Sequence, residues 1–339
     1  MKTCRASAVV PFLLFALALP GLGAEETGGL DELKQKAGDR LRQMESTETY
    51  RKLEDQFRQD IRRDVEKPLF TMRKQRKFYE MVSIQFNLQD FAEALRSCKD
   101  TEKFSPVDNW IMTSGELARR TARVYIMLGR PDDAAARLEQ AKELVGNTPP
   151  RNQAWIRREI ASIEKLNAEA PAFKNTFLEI QTKIQEAPES PKGWWERADL
   201  CQDRYPLLLD AATALLLLRE KFPDFAQVTS GEVLLRLTEV HRRFGLHERA
   251  LKFVDEFFAK DSPHGSMKSG DAYRVRAEVR ERVGENLQDS KMVQLALQDY
   301  ERIQNNFKDH WLVKNEDQPI IERIENCKAK IKQLSPKHR

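Results

Sequence analysis

Residues 116–150 read ELARRTARVYIMLGRPDDAAARLEQAKELVGNTPP, and their spacing decides the fold. Ala122, Tyr125, Gly129, Ala134, Leu138 and Ala141 follow one another at steps of 3, 4, 5, 4 and 3 residues. Apolar positions three and four apart share one face of a helix, so the stretch reads as two helices with a turn between them. Ala122 and Ala134 are small where two antiparallel helices approach closely. Gly129 lets the chain leave the first helix, because glycine adopts the left-handed conformation common there. Tyr125 and Leu138 fill the space between the helices and the next unit.

The same steps return in residues 232–263, EVLLRLTEVHRRFGLHERALKFVDEFFAKDSP, at Thr238, His241, Gly245, Ala250, Val254 and Phe257. Weaker copies stand in register. Phe91, Ala94 and Pro106 fit in residues 78–106, and Trp195, Ala211, Leu215 and Pro223 fit in residues 194–223, where Pro206 replaces the turn glycine. Ala277, Gly284, Ala296, Tyr300 and Ile303 fit if about seven residues around Asn286–Met292 form an inserted loop. The second-helix alanines give an independent measure of pitch. Ala94 to Ala134 is 40 residues, Ala134 to Ala211 is 77, Ala211 to Ala250 is 39, and Ala250 to Ala296 is 46, or 39 without the insertion. The double gap calls for a degenerate unit, with Trp155, Ile156, Ile160 and Ile163 on one helix and Ala172, Phe173, Phe177 and Ile180 on the next.

A small residue, an aromatic, a turn glycine, an alanine, an aromatic or aliphatic and a closing proline, in this order, resemble the tetratricopeptide-repeat (TPR) family. The pitch of about 39 residues is longer than the family's period of about 34. The resemblance implies an all-α protein, a right-handed α-solenoid of about six helical hairpins. A charged helical region at 25–69 precedes the array at 70–310, and residues 311–339 supply a capping helix and tail. Ile320, Ile321, Ile324, Cys327 and Ile331 on 318–334 would cover the exposed apolar end of the stack.

The family's function is protein–protein interaction, and its geometry lines a groove with the first helix of each hairpin. Here that implies Tyr79, Ser83 and Phe86, then Arg119, Arg123 and Ile126, then Glu196, Leu200 and Asp203. Leu235, Glu239 and Arg242 continue the row, and Arg274, Glu278 and Glu281 end it. A protein or peptide segment is the expected partner, with Arg119 and Arg123 suited to an acidic one. Chaperone-tail-binding members hold a peptide carboxylate with Asn and Lys at such places, and none of these residues is Asn or Lys, so that specificity is not implied.

The chain opens MKTCRASAVVPFLLFALALPGLGAEE. Lys2 and Arg5, an apolar stretch from Ala8 to Leu19 and small residues ending at Ala24 have the layout of a signal peptide cleaved after Ala24, with an uncleaved N-terminal anchor as the alternative. Export to the periplasm or the extracellular space is the expectation, with no transmembrane span elsewhere. Without residues 1–24 the formal charge falls from +4 to +2, too small a surplus for a nucleic-acid footprint. Cys98, Cys201 and Cys327 lie far apart among apolar neighbours and read as buried thiols, with one disulfide in an oxidising compartment as the alternative.

No chemistry-bearing motif stands out. His241, His247, His264, His310 and His338 are scattered, with no HExxH and no Cys-x-x-Cys. His241 occupies the aromatic position of its unit and reads as a packed ring. Trp155, Trp194, Trp195, Trp110 and Trp311 read as inter-repeat packing, with Trp194 the exception that faces outward. No catalytic residue, metal ligand or cofactor site is assigned. The sequence therefore points to a non-catalytic interaction scaffold. Two other readings are a structural subunit of a cell-envelope assembly and an enzyme on an α-solenoid acting on envelope polysaccharide. The last would need paired carboxylates about 5–10 Å apart.

Overall fold

The computed structural model describes residues 27–104, 114–260, 269–314 and 320–335. The proposed signal peptide, Trp110, His264 and His338 lie outside them. The described residues form fifteen α-helices and no strand, so the chain is all-α. Two compact units divide it at Met1–Glu48 and Thr49–Arg339. Of the first, residues 27–48 are helical; they begin α1 (Thr27–Lys74). All that follows concerns the second.

Helices α2 (Phe78–Asn87) and α3 (Phe91–Phe104) form a hairpin, as do α4 (Glu116–Met127) and α5 (Pro131–Val145). Next come α6 (Pro150–Glu186), α7 (Pro191–Asp199) and α8 (Leu208–Lys221). After the short α9 (Ala226–Thr229), α10 (Glu232–Arg243) pairs with α11 (His247–Ala259), and α12 (Gly270–Leu287) with α13 (Ser290–Asn306). A single turn, α14 (Trp311–Lys314), and α15 (Ile320–Leu334) end the described chain. Successive helices pack on one another from α2 to α8 and from α9 to α13; α8 also packs on α10 and α13 on α15, and α2 touches α4, α4 touches α6, and α10 touches α12.

The spacing that marked the hairpins is visible in their geometry. Ala122, Ala134, Thr238 and Ala250 are fully buried. Gly129 and Gly245 have φ of 70° and 78°, and the next residue's N–H reaches back to the first helix, Arg130 to the Tyr125 carbonyl and Leu246 to that of His241, both at 2.9 Å. This satisfies carbonyls that a helix end would otherwise leave open. Gln89 and Gln288 take the same left-handed conformation, at φ 63° and 55°, in the α2–α3 and α12–α13 turns. A positive φ is uncommon without glycine, which is why these two turns are harder to read in the sequence.

Four expectations need correction. The degenerate unit is not two helices: α6 runs unbroken from Pro150 to Glu186 with Pro171 inside it. Ile156, Ile160, Ile163, Leu166, Ala170, Phe173, Phe177, Ile180 and Ile184 keep one helical stripe through the proline, and all pack into cores. Pro171 is exposed, so water can serve the carbonyl that the missing N–H leaves free. α1 likewise continues through Pro68.

The insertion near Asn286 is no loop. It lengthens α12 and α13 to 18 and 17 residues, joined by Gln288 and Asp289. Gly284 is therefore not a turn residue. A Cβ there would lie 2.7 Å from Val293 Cγ2, so its role is close approach of the two helices.

The tryptophans also differ. Trp194 is 2% exposed and donates from Nε1 to the Pro188 carbonyl at 2.9 Å. Trp195 is half-buried under the Arg236 guanidinium, 4.4 Å from the ring centre. Trp155 and Trp311 remain 42% and 50% exposed, so inter-helix packing does not absorb them. In α15, Ile320, Ile324 and Cys327 are buried while Ile321 is exposed, which narrows the apolar face to three of its five expected positions plus the partly buried Ile331.

Candidate functional site

The α2–α3 turn meets helices more than a hundred residues away. Asn87 donates to the Arg243 carbonyl at 2.6 Å, and Gln89 donates to Asp210 at 2.6 Å. Arg62 of α1 holds the same turn through Asp90 at 2.8 Å and the Leu88 carbonyl at 3.0 Å. These contacts bring the end of α10 beside the first helices α2, α4 and α6. A surface read from the sequence as an open groove is bounded here by four helices.

They enclose a cavity of about 280 Å³. Ser83, Phe86 and Asn87 come from α2, Glu116, Arg119, Arg120 and Arg123 from α4, Glu159 and Ile163 from α6, and Arg243 from α10. Arg123, Glu159, Ile163 and Arg243 also border a second space of about 760 Å³, reaching Phe173, Gln202, Asp203 and Arg204. The last three sit on a π-helical turn, Leu200–Arg204, closed by the Tyr205 N–H on the Leu200 carbonyl at 2.8 Å. Pro206 follows, and it has no N–H with which to continue a helix. A π-turn widens the helix locally and is a frequent feature of functional sites.

Glu116 is the internal counter-ion. It accepts from Arg119, from Arg120 Nε at 2.8 Å and from the Tyr79 hydroxyl at 2.8 Å. Burial pushes its carboxyl up, yet Arg120 and Arg119 outweigh this and hold it below the usual range. Arg119 is 1% exposed, donates to the Ser114 carbonyl at 3.1 Å and lies 3.1 Å from Glu159. Arg120 stacks over Tyr79 at 4.1 Å and reaches Ser83.

The other two arginines are less well served. The Arg123 guanidinium is 5.6 Å from the Phe86 ring centre, and its Nε is buried without a hydrogen-bond partner. Burial, with the Arg120 charge beside it, pulls Arg123 below the usual guanidinium range despite Glu159 and Glu116. Arg243 donates to the Gln202 carbonyl at 3.3 Å and is pulled the same way by burial, with Arg123 and Arg242 adding repulsion. Glu159 is pushed up by burial and by Glu116, and its Oε2 lacks a hydrogen bond. Four guanidiniums face two carboxylates in the smaller space, so it carries surplus positive charge. That balance favours an anionic guest over a cationic one.

The expected groove residues stand in several different settings. Phe86, Arg119 and Arg123 line the chamber, and Tyr79 borders it through Glu116 and Arg120. Ile126 is buried in the α4–α5–α6 core. Glu196 pairs with Lys183 at 3.2 Å, and Leu235 packs near Leu234, Phe257 and Ala272. Glu239 holds Arg242 at 2.6 Å, while Arg274 and Arg323 meet Glu278 at 3.1 and 3.5 Å, in an ion-pair network apart from the chamber. Sequence reading missed Glu116, Arg120, Glu159, Gln202 and Arg243. One signal for the first two was available: Glu116, Arg119, Arg120 and Arg123 stand at i, i+3, i+4 and i+7 on one helix face.

Cys98, Cys201 and Cys327 are free and buried, and burial pushes all three thiols up, Cys98 to about 11 and Cys327 to about 12. Among the described residues no cluster of three His, Cys, Asp or Glu side chains is placed to hold a metal, and no helix is long and apolar enough to cross a membrane. Compared with known proteins, the chain matches no family model and no curated protein.

Proposed function

We propose that the chain is an exported interaction scaffold of tetratricopeptide type, a right-handed solenoid of about six hairpins that docks an anionic segment of a partner protein. The observation that carries this reading is the surplus of guanidinium over carboxylate around Arg123 and Arg243, with Arg123 Nε lacking a hydrogen-bond partner, presented among first helices by the α2–α3 and α10 contacts. Charge of this kind attracts acidic partners and loses strength as salt rises. Fluorescence anisotropy with labelled Glu-rich and Lys-rich peptides tests it. The Glu-rich peptide binds, weakens with added salt and is lost in Arg123→Glu. Equal binding of both peptides, or an Arg123→Glu variant that binds as before, would count against docking at this place.

Export rests on the N-terminal sequence pattern. Amino-terminal sequencing of the mature protein is expected to begin at Glu25, and recovery of an intact Met1 end from the envelope would refute cleavage.

A further inference from the structure

We propose that the chamber at Arg123 and Arg243 is a binding site for a phosphate monoester with a small organic body. This goes beyond partner docking, since it concerns a small ligand and not a protein segment.

The argument begins with charge. Arginine does not give up its proton in proteins, so burial cannot be relieved by neutralising it. A part-buried charge short of hydrogen bonds is costly: Glu159 and Glu239 offset Arg123 and Arg243 in part, but Arg123 Nε has no hydrogen-bond partner. Glu116 serves Arg119, Arg120 and Tyr79, and Glu159 lies against Arg119. Arg123 and Arg243 come from different helices and share both spaces, so one guest reaches both. A monocarboxylate would leave one positive charge over. A phosphate monoester is largely dianionic near neutral pH, and guanidinium groups grip its oxygens in paired hydrogen bonds.

Shape supplies the second half. The smaller space, about 280 Å³, takes a phosphoryl group with a few waters, each of which needs about 30 Å³. The adjoining space of about 760 Å³ is mostly polar, with Glu169, Asp203 and Arg204 in its lining beside Leu166, Phe173 and Pro206, and Gln202 Oε1 there is buried without a donor. A mixed wall, with apolar patches at Leu166, Phe173 and Pro206 and one free acceptor, suits a small organic body bearing a hydroxyl. Free phosphate would use the first space and leave the second empty.

Isothermal titration of the purified protein with phenyl phosphate, inorganic phosphate and benzoate tests the proposal. Phenyl phosphate is expected to bind at least about tenfold tighter than benzoate, a difference of about 1.4 kcal/mol, and tighter than inorganic phosphate. Arg123→Gln and Arg243→Gln each weaken it by about tenfold or more. Benzoate binding equally well, phenyl phosphate failing to bind, or binding unchanged in both variants would overturn the site. Inorganic phosphate matching phenyl phosphate would overturn the organic body. Should the arginine variants fail to fold, Glu159→Gln decides. It removes a competing negative charge and is expected to tighten phenyl phosphate several-fold, so unchanged or weaker binding refutes the assignment. Glu-rich peptide binding that depends on Arg123, with no phenyl phosphate binding, would leave partner docking standing and remove this proposal alone.

Discussion

An Arg197→Met variant loses about 3–5 kcal/mol of folding stability, the scale for breaking a buried ion pair from one side. Arg197 is 2% exposed and bonds both Asp210 and, at 2.7 Å, Glu54. Arg58 holds Glu54 at 2.9 Å and also reaches Asp210, while Gln89 donates to Asp210 at 2.6 Å. Four separate segments, α1, the α2–α3 turn, α7 and α8, are tied at this one point. Without Arg197, two carboxylates share the single cation Arg58 in a largely buried site. Chemical denaturation measures the loss as a lower midpoint at unchanged slope. A loss below about 1 kcal/mol, the scale of exposed pairs, would show the network to be dispensable. The double variant Arg197→Met/Asp210→Leu removes charge from both sides and is expected to recover part of the loss, because a charge left unpaired costs more than an absent pair.

The same network fixes an acid limit. Burial pushes Asp210 and Glu54 up, but Arg197 and Arg58 outweigh it and hold both carboxyls below the ordinary range. The folded state therefore keeps these groups ionised at a pH where the unfolded chain protonates them. Their contribution is complete above the ordinary carboxylate range and is lost as pH falls through the lowered folded values. In Arg197→Met that loss begins at higher pH.

The hairpins were legible because local rules set them. A glycine at the turn, small residues at the crossing and apolar steps of three and four all act within some thirty residues. Where a helix continued through Pro171 or Pro68, the proline signal misled and the apolar stripe was the better guide. The lesson is physical: one missing N–H on an exposed face costs less than breaking a stripe that feeds two cores. The chamber was half legible. Arg119 and Arg123 lie on the helix face that the family geometry implies, but their fates differ for non-local reasons. Arg119 finds Glu159 on a helix the sequence seemed to interrupt, whereas Arg123 meets Arg243 only because the α2–α3 turn packs against the end of α10. No spacing within either segment encodes that meeting. Arg242, one residue earlier, points into the separate network of Glu239 and Glu278.

His241 gives the second large effect, on the acid side of neutrality. The aromatic position of its hairpin is filled by an imidazole that is fully buried, 4.9 Å from the Phe253 ring centre and 6.5 Å from that of Phe244. Nδ1 lies 2.8 Å from the Leu237 carbonyl and so carries the proton, while Nε2 has no partner. A second proton would place a charge where nothing accepts it. Burial accordingly pulls the ring down to about 4, with Arg249 adding to the same direction. The unfolded chain binds that proton near pH 6.5. Between those values the unfolded state holds more protons than the folded one, so stability is complete above about 6.5 and falls as pH drops toward 4. One proton is worth about 1.4 kcal/mol per pH unit, or about 3 kcal/mol over the window. His247, also pulled to about 4 by burial and then by Arg282 and Arg242, adds a loss of the same sign. Replacing His241 by phenylalanine keeps a ring against Phe253 and removes the titration. Denaturation midpoints taken from neutral pH down to about 4 should therefore fall less steeply in His241→Phe than in the parent, by the slope of one proton. His241→Phe/His247→Phe should be nearly flat until the carboxylates begin to titrate. An unchanged slope in His241→Phe would mean that the ring is already charged in the folded protein, or relieved by water, and its burial would then not set the acid limit.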